Sequence, residues 1–203
     1  PFDESLTAAV HVGTLNQALH ALWRGGLFDA TLGDDSSVGD ALADGAEIGL
    51  SSALPPIVTI KGSDQVNLML GGMTMDIVYP GIFDDPVEVR VGALARSGVT
   101  LSGNDNLEFD DIEIEELYFS PTDISLDDES RDVLESFLTD VLQSLVDSSL
   151  NDALPALPIP SFELPTSLNT YDLPGGDELG LIGPGLDGNS SHFILEGSFG
   201  VLP

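Results

Sequence analysis

The stretch Leu126–Leu154, LDDESRDVLESFLTDVLQSLVDSSLNDAL, decides how the rest of the chain must be arranged. Val133, Leu134, Phe137, Leu138, Val141, Leu142, Leu145, Val146 and Leu150 follow at steps of one, three and four residues. That spacing stacks apolar side chains along one face of an α-helix. Ser125 precedes the run with Asp128 three residues on, and Asp127, Asp128 and Glu129 put negative charge in the first turn, where the helix dipole favours it. Pro155 closes the stretch. A helix over 126–152, about 25 residues at ~1.5 Å each, is a rod of roughly 37 Å. An apolar stripe of that length and width needs a large apolar partner.

Upstream of the rod, from Gly49, the period changes from helical to two. An extended segment at Ala53–Ile60 is entered through Pro55 and Pro56. Val66, Leu68 and Leu70 then alternate with polar residues, and after Gly71-Gly72 so do Met73, Met75, Ile77 and Tyr79. A glycine pair inside a strand pattern marks a bulge or bend. Val87, Val89 and Val91 alternate with Glu88 and Arg90, and the strand continues through Leu94, Val99 and Leu101. Asn104–Asn106 reads as a turn. Leu107, Phe109, Ile112, Ile114, Leu117 and Phe119 form another apolar face whose phase slips at Asp110-Asp111, a second bulge signal. Long strands with one apolar face, joined by turns, read as an antiparallel sheet. The expected fold class is therefore α+β, with this sheet wrapped around the long amphipathic helix.

The ends of the chain add a shorter helix and further strands. Thr7–Val12 reads as a short strand. Thr14 is placed to cap a helix over 14–25 that carries Leu15, Ala18, Leu19, Leu22 and Trp23 on one side and stops at Gly25-Gly26. After the proline-rich Ala153–Pro160, strands are expected around Leu168–Leu173, Leu179–Ile182 and His192–Phe199. There is no fixed-period repeat and no low-complexity linker, so residues 1–203 are expected to form one module. The start at Pro1 and the end at Pro203 suit a piece of a longer chain.

Composition narrows the partners. The chain has 203 residues, 42% of them hydrophobic, with 5 Lys and Arg against 35 Asp and Glu, a net charge of -30. With a mean hydropathy of +0.17, that describes an apolar interior under a strongly acidic surface rather than an acidic disordered chain. Phosphate backbones need a basic face, so nucleic acid is not an expected partner. An anionic membrane would repel the surface, which limits membrane contact to a transient or cation-mediated one. The absence of cysteine excludes disulfides and thiolate metal sites. No apolar run approaches the ~18 residues of a membrane-spanning helix. The acidic surface suits a saline or calcium-rich medium, and with the lack of cysteine it points to a bacterial origin; the expected place is secreted, periplasmic or on the cell surface.

Signatures of chemistry are sparse. His11, His20 and His192 are scattered and read as surface or packing residues. Gly183, Gly185 and Gly188 spell G-x-G-x-x-G, but no strand-to-helix turn follows, so a dinucleotide site is not expected. Asn189-Ser190-Ser191 is a formal glycosylation sequon read as a turn. Carboxylates cluster at Asp34, Asp35 and Asp40, at Asp84 and Asp85, and at Asp105, Asp110 and Asp111; Asp34, Asp35, Asp84 and Asp85 are the candidates for calcium, without a twelve-residue calcium loop around them. No catalytic constellation is visible, and a binding role is expected rather than an enzymatic one.

The order of elements carries a resemblance. A short helix reading LNQALHALWRGGLFD, then LPPIVTI, long amphipathic strands, one long helix, LPALPIPSFELPTSLNTYDL and GLIGPGL together resemble the tubular lipid-binding superfamily. The chain is most similar to the C-terminal half of proteins of the bactericidal/permeability-increasing and lipopolysaccharide-binding type. Their helical pattern is matched by Asn16, Leu19, Ala21, Leu22, Trp23, Gly26, Leu27 and Phe28, and their proline-rich lead into the last strands by Leu157-Pro158-Ile159-Pro160. The vertebrate antibacterial members are basic, whereas this chain is acidic. The resemblance implies a highly twisted antiparallel sheet rolled around the long helix, with a phospholipid or fatty-acyl chain held in an apolar slot between helices and sheet. Leu15, Leu19, Leu22, Trp23, Met73, Met75, Phe137, Leu138, Val141, Leu142 and Leu145 are then the expected lining. Such a site needs no cofactor beyond the lipid, with calcium as an optional ion. In the two-module members another half precedes this one, so a second module of the same chain is an expected partner, and a homodimer is the other expected assembly. The alternative reading keeps the fold but fills the slot with side chains, giving a structural or protein-interaction module, calcium-dependent in one form.

Overall fold

The computed structural model describes residues 5–33, 45–80, 85–102, 106–110, 112–122, 128–146, 157–159, 161–171 and 175–202. It is α+β: two helices on a large, twisted, open antiparallel sheet, with a smaller sheet beside it. The centre is a ribbon of two long strands, β5 (Gln65–Val78) and β6 (Val87–Ser102). Along one edge of β5 lie β3 (Glu47–Ser52), itself paired with β2 (Ala30–Leu32), and β4 (Ile57–Ile60). Along the opposite edge of β6 lie β7 (Asn106–Phe109), paired with β9 (Leu157–Pro158), and β8 (Glu113–Pro121). The smaller sheet has the order β1 (Ser5–His11), β12 (His192–Val201), β11 (Glu178–Gly188), β10 (Phe162–Glu163).

The period-two pattern becomes the two faces of the large sheet. Val66, Leu68 and Leu70 are buried, then the register jumps between Leu70 and Met73 and the buried set resumes at Met73, Met75 and Ile77. Gly71-Gly72 absorbs the extra residue as expected, and Gly72, at φ +65°, adopts the left-handed backbone that glycine reaches without steric cost. On β6, every second residue from Val87 to Val99 is buried.

Helix α1 (Val12–Arg24) follows β1 directly, and helix α2 (Asp128–Leu145) follows β8. Each buries one face. Leu15 and Leu19 of α1, the Leu134–Val146 stripe of α2, the inner face of the large sheet, and Leu181, Phe193 and Leu195 of the small sheet form one contiguous apolar cluster. The other side of α2, including Arg131, Asp132, Glu135 and Asp140, is exposed. The sheet is open, so it backs the rod rather than enclosing it.

Each helix also closes an edge of the sheet with a side-chain amide. Asn16 of α1 donates from Nδ2 to the Val58 carbonyl (3.0 Å), and its Oδ1 accepts from the Val58 N–H (2.7 Å). Gln143 of α2 donates to the Ile112 carbonyl (2.6 Å) and accepts from the Ile114 N–H (3.2 Å). An edge strand offers unpaired N–H and C=O groups, and each carboxamide supplies the donor and acceptor of one missing rung.

Several sequence expectations need correction. Helix α1 begins at Val12, and its cap is His11, whose Nδ1 accepts from the Gly13 N–H at 2.8 Å; Thr14 is already inside the helix. The described part of the long helix is 128–145 within the expected 126–152; positions 126–127 and 147–152 lie outside the described residues, as do Ser125 and the 104–105 part of the expected turn. Val133 is on the solvent side, 44% exposed. The phase slip at 110–111 separates two strands, β7 and β8, rather than bulging one. Residues 166–171 form a 3-10 turn, where a strand was expected to start. Gly183–Gly188 lies inside β11, at an irregularity of its pairing with β12.

Candidate functional site

The expected lining residues converge. Leu15 and Leu19 are buried on the inner side of α1, while Leu22 and Trp23 are half-buried and pack on the same cluster. The Trp23 indole donates from Nε1 to the Ser52 carbonyl at 2.8 Å, which fixes its polar end on β3 and leaves the ring as apolar surface. Met73 and Met75 point inward from β5. Phe137 lies against Tyr79, ring centroids 5.0 Å apart. Leu138, Val141 and Leu142 are 0% exposed, and Leu145 is buried beside them. All eleven therefore belong to, or pack against, one interior shared by both helices and the sheet.

Concave surface lies at the margins of that interior. A cavity of about 510 Å³ runs between α1 and the segment leading into β4, lined by Asn16, Gln17, His20, Pro55, Pro56 and Ile57. Its volume falls within the 300–1,000 Å³ typical of small-ligand sites. One wall is apolar, made by the two prolines and Ile57; the other is the outer flank of α1, where Asn16, Gln17 and His20 sit beside Leu15 and Leu19. The expected set identified the buried side of α1 but not this outer flank. Asn16 was legible only as part of a family pattern, and its role as a clip depends on where β4 comes to rest.

A second cavity, about 470 Å³, lies over the large sheet at the Gly72 bulge. Met73 is the expected lining residue that borders it. The side chain of Met73 is buried on the inner face, so the cavity is bounded there by the strand itself.

The polar candidates resolve differently. Asp34, Asp35 and Asp84 lie outside the described residues, as do Asp40, Asp105 and Asp111; Asp85 is exposed. Among the described residues, no three His, Asp or Glu side chains cluster closely enough to hold a metal ion. Asp110 instead accepts a hydrogen bond from the Thr100 hydroxyl (3.1 Å). Two of the three histidines are not scattered: His11 and His192 are opposite one another on β1 and β12, ring centroids 4.7 Å apart and edge-on. The His11 Nδ1 accepts the Gly13 N–H, so the ring acts as a helix cap. Asn189 forms the turn expected of it, its Oδ1 accepting from the N–H groups of Ser191 (2.9 Å) and His192 (3.0 Å).

No helix of the described residues is long and apolar enough to cross a membrane. Neither a protein-family model nor a curated protein matches the chain. Among solved structures, it is similar to a crystal structure of lipopolysaccharide binding protein, with 11% sequence identity and a TM-score of 0.44. The likeness extends over 98% of this chain but only 41% of that one.

Proposed function

We propose that the chain is a non-catalytic lipid-binding module that takes an acyl chain at the junction of α1 and the sheet. The observation that supports this reading is the largely apolar groove between α1 and Pro55–Ile57, at the margin of the interior that holds Leu15, Leu19, Leu22 and Trp23. An acyl chain gains ~0.8 kcal/mol for each CH2 it removes from water, so such a groove needs no positioned charge to bind one. Movement of α1 away from β4 would join the groove to the deeper residues Met73, Met75, Phe137, Leu138, Val141, Leu142 and Leu145. The acidic exterior keeps the loaded module soluble and off anionic surfaces until cations or a partner bring it in. That behaviour suits a secreted, periplasmic or cell-surface protein working as one module.

The experiment is native mass spectrometry and solvent extraction of the purified protein, followed by titration with a fluorescent fatty acid and a fluorescent phospholipid. Gln17→Trp fills the groove from an exposed helical position without touching the core, and it is expected to weaken uptake at least tenfold. Protein that carries no lipid and takes up neither probe refutes the reading. A second reading has its own support: the complete burial of Met75, Leu138, Val141 and Leu142 describes a filled interior, as in a structural or interaction module. Absence of uptake together with an unchanged melting temperature in the presence of phospholipid favours that alternative.

A further inference from the structure

The outer face of the large sheet carries a constellation that the interior does not use. Burial alternates along each strand, so Thr74, Arg90, Tyr118 and Ser120 point away from the core. Thr74 is opposite Arg90, and Arg90 is opposite Ser120. Two hydroxyls thus flank one guanidinium in a single row across β5, β6 and β8. In the next row, Gly92 is opposite Tyr118, with Gly72 of the bulge on the other side. Glycine leaves this row without a floor of side chains, which makes the 470 Å³ cavity. Its rims are apolar: Tyr118 is 64% exposed and Leu54, lying over Gly72, is 57% exposed. Beyond the glycines, Met69 and Leu94 are opposite each other and extend the apolar surface, with Glu116 next to Leu94 on its β8 side, bonded by the Tyr118 hydroxyl.

The charge of this cavity departs from the rest of the molecule. Only 5 of the 203 residues are Lys or Arg. Arg96, six residues further along the same face of β6, is held by Glu115 at 2.7 Å. Among the described residues, Arg90 has no carboxylate within salt-bridge distance. The row on its far side is acidic, Asp76 opposite Glu88, but the Glu88 carboxylate is engaged by the Thr122 hydroxyl at 2.8 Å. A guanidinium with adjacent hydroxyls presents planar, paired donors to an oxyanion. The neighbouring acidic row disfavours a second negative charge on that oxyanion.

We propose that this outer groove binds a monoanionic amphiphile, with Arg90, Thr74 and Ser120 holding its acid group and its tail lying over Gly72 and Gly92 towards Met69 and Leu94. From Arg90 to Leu94 the strand advances roughly 14 Å at ~3.4 Å per residue, which sets the length of tail that the groove supports. The site is on the opposite face from the interior and does not depend on the α1 groove.

Amide shifts of Gly72 and Gly92, followed by NMR in the intact chain, test the proposal with three probes of equal tail length: laurate, dodecyl phosphate and dodecanol. All are used below their micelle concentrations in about 0.15 M salt, where the Debye length of ~8 Å screens the overall charge. Laurate is expected to shift both glycines saturably and to bind at least tenfold more tightly than dodecanol. Dodecyl phosphate, doubly charged at mildly alkaline pH, is expected to be the weaker of the two anions. Arg90→Gln is expected to reduce laurate affinity at least tenfold. Gly92→Val fills the groove, its Cβ meeting the Leu70 carbonyl oxygen at an ordinary 3.5 Å, and is expected to do the same; the other glycine reports in that variant. Gln17→Trp is expected to leave these shifts unchanged, which separates this site from the α1 groove. Equal laurate affinity in wild type and Arg90→Gln, tighter binding of the phosphate, or no shift at saturating laurate would each overturn the proposal.

Discussion

Replacing Asn16 with alanine removes two hydrogen bonds at once, and the structure fixes what is left behind. The bonds to the Val58 carbonyl and N–H are 3.0 and 2.7 Å long, and Val58 is only 3% exposed. A typical intramolecular hydrogen bond contributes about 1 kcal/mol net, and stranding a buried donor or acceptor costs about 1–3 kcal/mol. Two groups are stranded, but they sit at a sheet edge beside an open groove where water reaches part of the way. A loss of about 3 kcal/mol follows from taking each group between those limits. At ~2–4 °C per kcal/mol for a domain of this size, the melting temperature falls by roughly 6–12 °C. Thermal and urea unfolding of Asn16→Ala measure this, and hydrogen exchange at the Val58 amide localises it. Asn16→Asp keeps an acceptor for the Val58 N–H but sets a second acceptor oxygen against its carbonyl, so it too is expected to be less stable than wild type. A melting temperature within about 1 °C of wild type for Asn16→Ala, or unchanged exchange at Val58, would refute the account of Asn16 as the clip that joins α1 to the sheet.

Other outcomes follow from the same geometry. His11→Ala removes the α1 cap and is expected to cost about 1 kcal/mol, whereas Thr14→Ala, inside the first turn and exposed, stays within about 0.5 kcal/mol; chemical denaturation distinguishes them. Leu142→Ala empties a fully buried position and is expected to cost about 2–5 kcal/mol, while Val133→Ala on the exposed side of the same helix is nearly neutral. The Tyr118 phenol is held above the ordinary tyrosine range, first by its hydrogen bond to the Glu116 carboxylate and then by that negative charge. Because the folded value is the higher one, this contribution is complete below pH ~10 and is lost as pH rises through the folded value. Glu116→Gln is expected to lower the Tyr118 ionisation midpoint in an ultraviolet titration.

Much of the fold was legible because it rests on periodicity. The alternation on β5 and β6, the slip at Gly71-Gly72 and the helical stripe through Leu134–Val146 are local patterns with one spatial meaning. Boundaries set by single contacts were less legible. Thr14 is a good cap residue by type, yet His11 holds the position because its ring turns back onto the Gly13 N–H. Val133 fits the stripe by spacing, but it falls at the edge of an arc that an open sheet does not cover. The expected lining residues were found as a group, since apolar periodicity marks what is buried. The two grooves were missed for complementary reasons. One depends on how far β4 stands from α1, and the other on an absence of side chains at Gly72 and Gly92 in neighbouring strands. Asn16 and Gln143 look like ordinary polar residues on amphipathic helices until the strands that they complete are in place.

Those two amides tie the docking of each helix to solubility. With α1 seated, Val58 has no free rung to offer; with α1 lifted, β4 becomes a template onto which a strand of another molecule can add. The same holds for β8 when α2 moves. Any opening that admits a large guest therefore also primes the chain for fibre growth, and the charge of -30 supplies the opposing force by keeping identical molecules apart. Added salt or divalent ions should speed self-assembly of an Asn16 or Gln143 variant far more than of the intact protein.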